Sequence, residues 1–142
     1  MNNVRIEQQI NASLENLSIV EELLGSMYEE QQIPEEVFGN VMVACTEAML
    51  NAVNHGSKGD AQKQVTCVIE RTDNYLEVMF KDVGEGFDVD ALPDPTDPAN
   101  LEKGNGRGIF IMKNLSDEIS FEDGGSRVTM RFDFDSAQKV GA

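Results

Sequence analysis

Basic residues are scarce in this chain: 11 Lys and Arg stand against 26 Asp and Glu, for a net charge of -15. That balance repels a phosphate backbone and leaves no basic stripe for counterion release, so nucleic acid is excluded as a partner. Cysteine is scarcer still. Cys45 and Cys67 stand far apart in the chain, one in a helical pattern and one in a strand pattern, and neither has a Cys or His at metal-ligand spacing. Both read as buried, reduced thiols, and a zinc site is excluded. No apolar run approaches the roughly 20 residues a membrane span needs. The start, Met1 to Glu7, lacks the apolar core of a secretory signal, so a cytoplasmic location without membrane attachment is expected. Tryptophan is absent, yet hydrophobic residues make up 40% and charged residues 26%. Those shares suit a globular rather than a disordered chain, and 142 residues suit one domain over 1–142 with its own core.

The order of elements follows from periodicity. Val4 to Ile10 alternates, with a lapse at Gln8, as a half-buried or edge strand does. Ser13 suits the cap of a helix whose apolar positions are Leu14, Leu17, Val20, Leu24 and Met27. A second helix runs from about Pro34 to Asn54, with an apolar stripe of Val37, Val41, Cys45, Ala48 and Ala52 and a stop at His55-Gly56. Asn40, Glu47, Asn51 and Asn54 share a second stripe with Val43 and Leu50 beside it. Val65, Cys67, Ile69 and then Leu76, Val78, Phe80 form a hairpin turned at Thr72-Asp73-Asn74. Residues 87–103 hold Pro93, Pro95 and Pro98 without a period, as a lid, a binding loop or an insertion does. A third helix from Gly106 buries Ile109, Met112 and Leu115. A closing hairpin follows, Ile119 to Phe121 and Val128 to Phe134, turned at Gly124-Gly125, and 136–142 reads as a frayed tail.

Three segments carry chemistry. In Glu47-Ala-Met-Leu-Asn51-Ala-Val-Asn54-His55-Gly56, Glu47 and Asn51 project side by side. An amide oxygen is a hard ligand for Mg²⁺ and a carboxylate one turn away can activate a nucleophile, although the same spacing also serves surface pairs. In Asp82-Val-Gly84-Glu-Gly86, a strand-end carboxylate precedes two glycines that allow a ligand close to the backbone. Such a carboxylate accepts from an exocyclic amine, and a plain turn is the alternative. In Gly104-Asn105-Gly106-Arg107-Gly108, glycines open a helix whose N–H groups and dipole attract phosphate, with Lys103 and Arg107 beside them. A hinge and cap is the other possibility there. His55 suits the capping of carbonyls better than contact with phosphate, and the seven Met residues suit core filling.

Taken in order, the three segments resemble the asparagine-bearing and two glycine-bearing boxes of the GHKL ATPase superfamily. Within it the wording is most similar to the anti-sigma-factor serine/threonine kinases, down to Gly106-Arg-Gly-Ile-Phe-Ile-Met-Lys-Asn-Leu-Ser-Asp-Glu118. A histidine kinase would need a phosphoacceptor helix, and the one His sits at the end of the Asn helix. The resemblance implies an α/β two-layer sandwich with helices on one face of a mixed, mostly antiparallel sheet. It implies ATP and Mg²⁺, with Glu47 as base, Asn51 on the metal, and Asp82 on the adenine amine with Gly84 and Gly86 around it. Lys103, Gly104, Asn105, Gly106, Arg107 and Gly108 would surround the phosphates, the lid would be about 87–103, and Ser126 would stand near the adenine. The partners implied are a sigma factor that is sequestered, an anti-sigma antagonist phosphorylated on Ser, and a second copy in a homodimer. A nucleotide-gated binder of the same fold, without kinase activity, is the alternative.

Overall fold

The computed structural model describes residues 3–56, 62–82 and 104–134. Strand β1 (Val4–Asn11) leads into a short 3-10 turn (Leu14–Asn16), helix α1 (Leu17–Glu29) and helix α2 (Glu35–Asn51), which continues as a π-helical turn over Ala52–Gly56. Strands β2 (Gln64–Arg71) and β3 (Tyr75–Lys81) follow, then α3 (Gly104–Leu115), β4 (Glu118–Glu122) and β5 (Arg127–Asp133). The sheet order is β1-β2-β3-β5-β4. Every described pair is antiparallel, in keeping with the mostly antiparallel sheet that was expected. β3 and β4 do run the same way, joined through α3, but β5 lies between them and supplies the hydrogen bonds to both.

Alternation in the sequence becomes one apolar face of the sheet. Ile6, Ile69, Val78, Met130 and Ile119 stand in register across all five strands, and beside them run Gln8, Cys67, Phe80, Val128 and Phe121. The lapse at Gln8 is tolerated because β1 is an edge strand and this side chain is exposed there. Against this face pack Val20, Leu24 and Met27 of α1, Val41, Ala44, Cys45, Ala48 and Met49 of α2, and Ile109 and Met112 of α3. Burial of each large side chain stabilises by about 1.5–3 kcal/mol, and the two layers share one continuous core.

Local signals set the element ends. Pro34 sits at the N-cap of α2, with Glu35 and Glu36 in the first turn complementing the helix dipole. Ser13 caps as expected, since its hydroxyl accepts from the Glu15 amide at 3.3 Å. The capped element is the 3-10 turn rather than α1 itself, and that shift leaves Leu14 57% exposed instead of in the core. The β2–β3 turn is closed by Thr72, whose hydroxyl accepts from the amides of Asn74 and Tyr75 at 3.2 Å each. At the β4–β5 turn Gly125 has φ 98°, a conformation that glycine adopts without strain.

The two cysteines are free and buried in the same core. Burial pushes the Cys67 thiol up to about 12, and burial together with the neighbouring Cys67 pushes Cys45 well above its usual value. Such thiols stay protonated and unreactive, as hydrophobes. Among the described residues no helix is long and apolar enough to cross a membrane.

Candidate functional site

The site is built around α2, because its second stripe lies at the border between core and solvent. Ala44 and Ala48 on one side are buried, Val43 on the other is exposed, and Glu47 and Asn51 between them are half-buried. The α-helix ends at Asn51, three residues short of the expected Asn54. The next five residues widen into the π turn, a feature found often at functional sites. Asn40 and Asn54, which share the stripe by period, are both exposed. The described side of His55 is its backbone in the π turn; its side chain lies outside the described residues.

Helix α3 closes on this stripe through a glycine. A Cβ at Gly108 would lie 3.1 Å from Glu47 Oε2, 3.5 Å from Asn51 Oδ1 and 3.8 Å from Asn51 Nδ2. A Cβ at this buried position would crowd the Glu47 carboxylate and lie in ordinary contact with Asn51, so Gly108 lets the α3 backbone approach both. The second glycine-bearing segment thus meets the asparagine-bearing one directly.

Asp82 completes the convergence from the sheet side. It follows β3, and its amide donates to the Ser126 carbonyl at 2.9 Å, adding one rung beyond the β3–β5 pairing. The Ser126 hydroxyl donates to the Asp123 carbonyl at 3.0 Å. Among the described residues Asp82 and Ser126 are the buried polar side chains, 8% and 6% exposed. Both line a narrow cavity together with Asn51, and its walls are apolar: Ala48, Ala52, Phe80, Met112, Phe121 and Val128. A buried carboxylate set in apolar walls suits a group that carries N–H donors.

Of the residues singled out from the sequence, Glu47, Asn51, Asp82, Gly108 and Ser126 are brought to one region. Arg107 lies on α3 and is exposed. Gly104, Asn105 and Gly106 form the first turn of α3, which begins two residues earlier than expected, and their side chains are outside the described set. Gly84, Gly86, Lys103 and the segment 87–103 lie outside the described residues, as does the tail 136–142. The cavity walls were not singled out beforehand. Phe80, Val128 and Phe121 face one another across three strands, so their strand alternation marked them only as core. Among the described residues no cluster of three or more His, Cys, Asp or Glu could hold a metal ion.

Comparison with known proteins places these features in a group. Residues 10–132 match the family described as the histidine kinase-like ATPase domain. The chain is 26% identical over 134 residues to the serine-protein kinase RsbW of Staphylococcus epidermidis, covering 88% of this chain and 84% of that protein. It is 27% identical over 133 residues to the protein of the same name from Bacillus cereus, covering 89% and 82%. It is 24% identical over 124 residues to that of Oceanobacillus iheyensis, covering 83% and 78%. Its fold is similar to the crystal structure of the RsbU and RsbW domains of Rv1364c from Mycobacterium tuberculosis, with a TM-score of 0.62 at 15% identity. The match covers 92% of this chain and spans 32%, about a third, of that longer one.

Proposed function

Because the chain belongs to the histidine kinase-like ATPase domain family, we propose that it is an ATP-binding anti-sigma factor that phosphorylates an antagonist protein on serine. The observation that carries this is the meeting of three separated segments: Gly108 rests on Glu47 and Asn51, and Asn51 shares a cavity with Asp82 and Ser126. The relatives named serine-protein kinase RsbW support the phosphotransfer.

The residues fit a nucleotide in distinct ways. The Asp82 carboxylate would accept from the exocyclic amine of adenine, with Ser126 beside it and apolar walls on the ring faces. The α3 N-terminus, from Gly104 to Gly108, would face the phosphates with bare N–H groups, and Lys103 and Arg107 would add charge. Asn51 would offer its amide oxygen to Mg²⁺, an ion that neutralises phosphate charge when bound. Gly84 and Gly86 would shape the adenine end, and residues 87–103 would cover the nucleotide.

Glu47 would act as base. Its carboxylate would take the proton of the acceptor serine as the serine oxygen bonds to the γ-phosphorus, while the bond from that phosphorus to the β–γ bridging oxygen breaks and the electron pair leaves with ADP. The products are phosphoserine, ADP and a proton held on Glu47. We further propose that the chain forms one domain over 1–142, works in the cytoplasm as a homodimer, and sequesters a sigma factor until the antagonist displaces it.

Incubation with labelled ATP and the purified antagonist tests the proposal. Labelled phosphoserine is expected, and its formation should fall by at least about a hundredfold in Glu47→Ala while Mg-ATP still raises the melting temperature. A thermal shift without phosphoserine in the wild type would leave a nucleotide-gated binder instead. Absence of any thermal shift would remove ATP from the account altogether.

A further inference from the structure

Ser126 reaches the cavity with its proton already placed. Its hydroxyl donates to the Asp123 carbonyl at 3.0 Å, and its amide donates to the same oxygen at 3.4 Å. A carbonyl can only accept, so the single hydroxyl hydrogen lies on that bond and the oxygen offers the cavity lone pairs alone. Asp82 stands across from it. The Asp82 amide donates to the Ser126 carbonyl one rung beyond the pairing of Lys81 with Arg127, so both side chains share the face that bears Phe80 and Val128. Side chains so paired lie about 4.5–5.5 Å apart at their Cβ atoms. Carboxylate and hydroxyl therefore present acceptors side by side.

The turn that takes the proton has an uncommon backbone. Asp123 has φ 56°, and among the described residues only Gln31 is a second non-glycine in the left-handed region. Aspartate is one of the few residue types that visit this region readily. The Asp123 carboxylate also stands 3.5 Å from Arg127 Nε, but both side chains are partly in water, where such pairs contribute little. Backbone conformation is thus what aims the carbonyl.

We infer that Asp123 is a positioning residue for base selection: its left-handed backbone holds the Ser126 proton away from the cavity and makes that hydroxyl a second acceptor beside Asp82. The inference rests on the ATP-binding reading above. Two neighbouring acceptors select a nitrogen that carries two hydrogens. The exocyclic amine of adenine has one for each. The base of inosine triphosphate (ITP) has a carbonyl oxygen at that place, and set against two acceptors it stays unpaired. A hydroxyl free to turn does the opposite, because it donates to that oxygen.

The test is calorimetric titration of the full chain with Mg-ATP and with Mg-ITP, the second in competition with the first, and melting temperatures alongside. The wild type should favour ATP. In Ser126→Ala, ATP should weaken and ITP should bind more tightly than it does to the wild type, so that the preference falls by about tenfold. Asp123→Ala strains the left-handed position, and by releasing the hydroxyl it should lower the preference in the same direction. Asp123→Asn tolerates that conformation, gives up the charge pair with Arg127 and should keep the wild-type preference. A role in folding alone lowers the melting temperature of Asp123→Ala with the preference unmoved, and that result overturns the inference. Equal binding of the two nucleotides by the wild type, or ITP binding that weakens or holds in Ser126→Ala, overturns it as well and leaves ATP binding standing. A preference that falls in Asp123→Asn as far as in Asp123→Ala gives the turn to the charge pair and overturns it too. A wild type with no heat of binding for Mg-ATP removes the nucleotide reading, and this inference with it.

Discussion

The two ends of the site, on either side of Asn51, are built in opposite ways. At one end Asp82 and Ser126 are almost fully buried in apolar walls and tied to the ends of β3 and β5. At the other, Glu47 is half-buried between helices and stands next to exposed Val43. A base-recognising carboxylate gains discrimination from exclusion of water, because an unpaired polar group is costly there. A carboxylate that acts on another protein has to remain reachable. Rigid strands hold the first end, and a glycine contact between helices holds the second.

The largest expected effect separates the ends outright. Glu47→Ala should cut phosphotransfer by about a hundred- to ten-thousandfold and leave Mg-ATP affinity near the wild-type value in calorimetry. An equal loss of both would merge the two ends into one. Asp82→Asn should do the converse, weakening ATP by about ten- to a hundredfold and narrowing the preference for ATP over GTP in competition binding. Unaltered nucleotide preference would detach Asp82 from base recognition.

Gly108→Ala should act at the open end with a smaller effect. The added methyl meets Glu47 Oε2 at 3.1 Å, and such overpacking costs about 1–3 kcal/mol where neighbours cannot yield. Because the half-buried carboxylate can turn aside, the expected readout is a fall in kcat of about tenfold with little change in melting temperature. A large loss of stability would instead make Gly108 a packing residue. The smallest effect lies beneath both ends. The Cys67 thiol is raised by burial from 9.0 to about 12, so the folded chain keeps a proton that the unfolded chain releases. Its contribution to stability is complete below about pH 9 and is lost progressively as pH climbs toward 12. Melting temperature should therefore decline more gently above pH 9 in Cys67→Ala than in the wild type.

Most of the architecture was legible because period and punctuation agreed. The β2–β3 hairpin was fixed by alternation and by the Thr72 turn, and α2 by Pro34 and its apolar stripe. Departures came where several backbones satisfy the same pattern. Ser13 can cap a 3-10 turn as well as an α-helix, and only the docking of α1 decides where Leu14 points. The π turn has no composition of its own, so Asn54 looked like one more helical position. Glu47, Asn51 and Asp82, which the fold brings to one region, were singled out by residue type and spacing. The walls formed by Phe80, Met112 and Phe121 were hidden, since a residue that lines a cavity has the same alternation as one that fills a core.

The wide turn over Ala52–Gly56 bears on how this protein tolerates insertion and deletion. A π turn accommodates about one residue more than an ordinary turn without breaking the helix. Removing one residue there would let the coil regain its usual winding while leaving Glu47 and Asn51 where they are. The end of the helix would then keep close to its present heading, because four residues at the usual winding sweep about the same arc as the five in the wide turn.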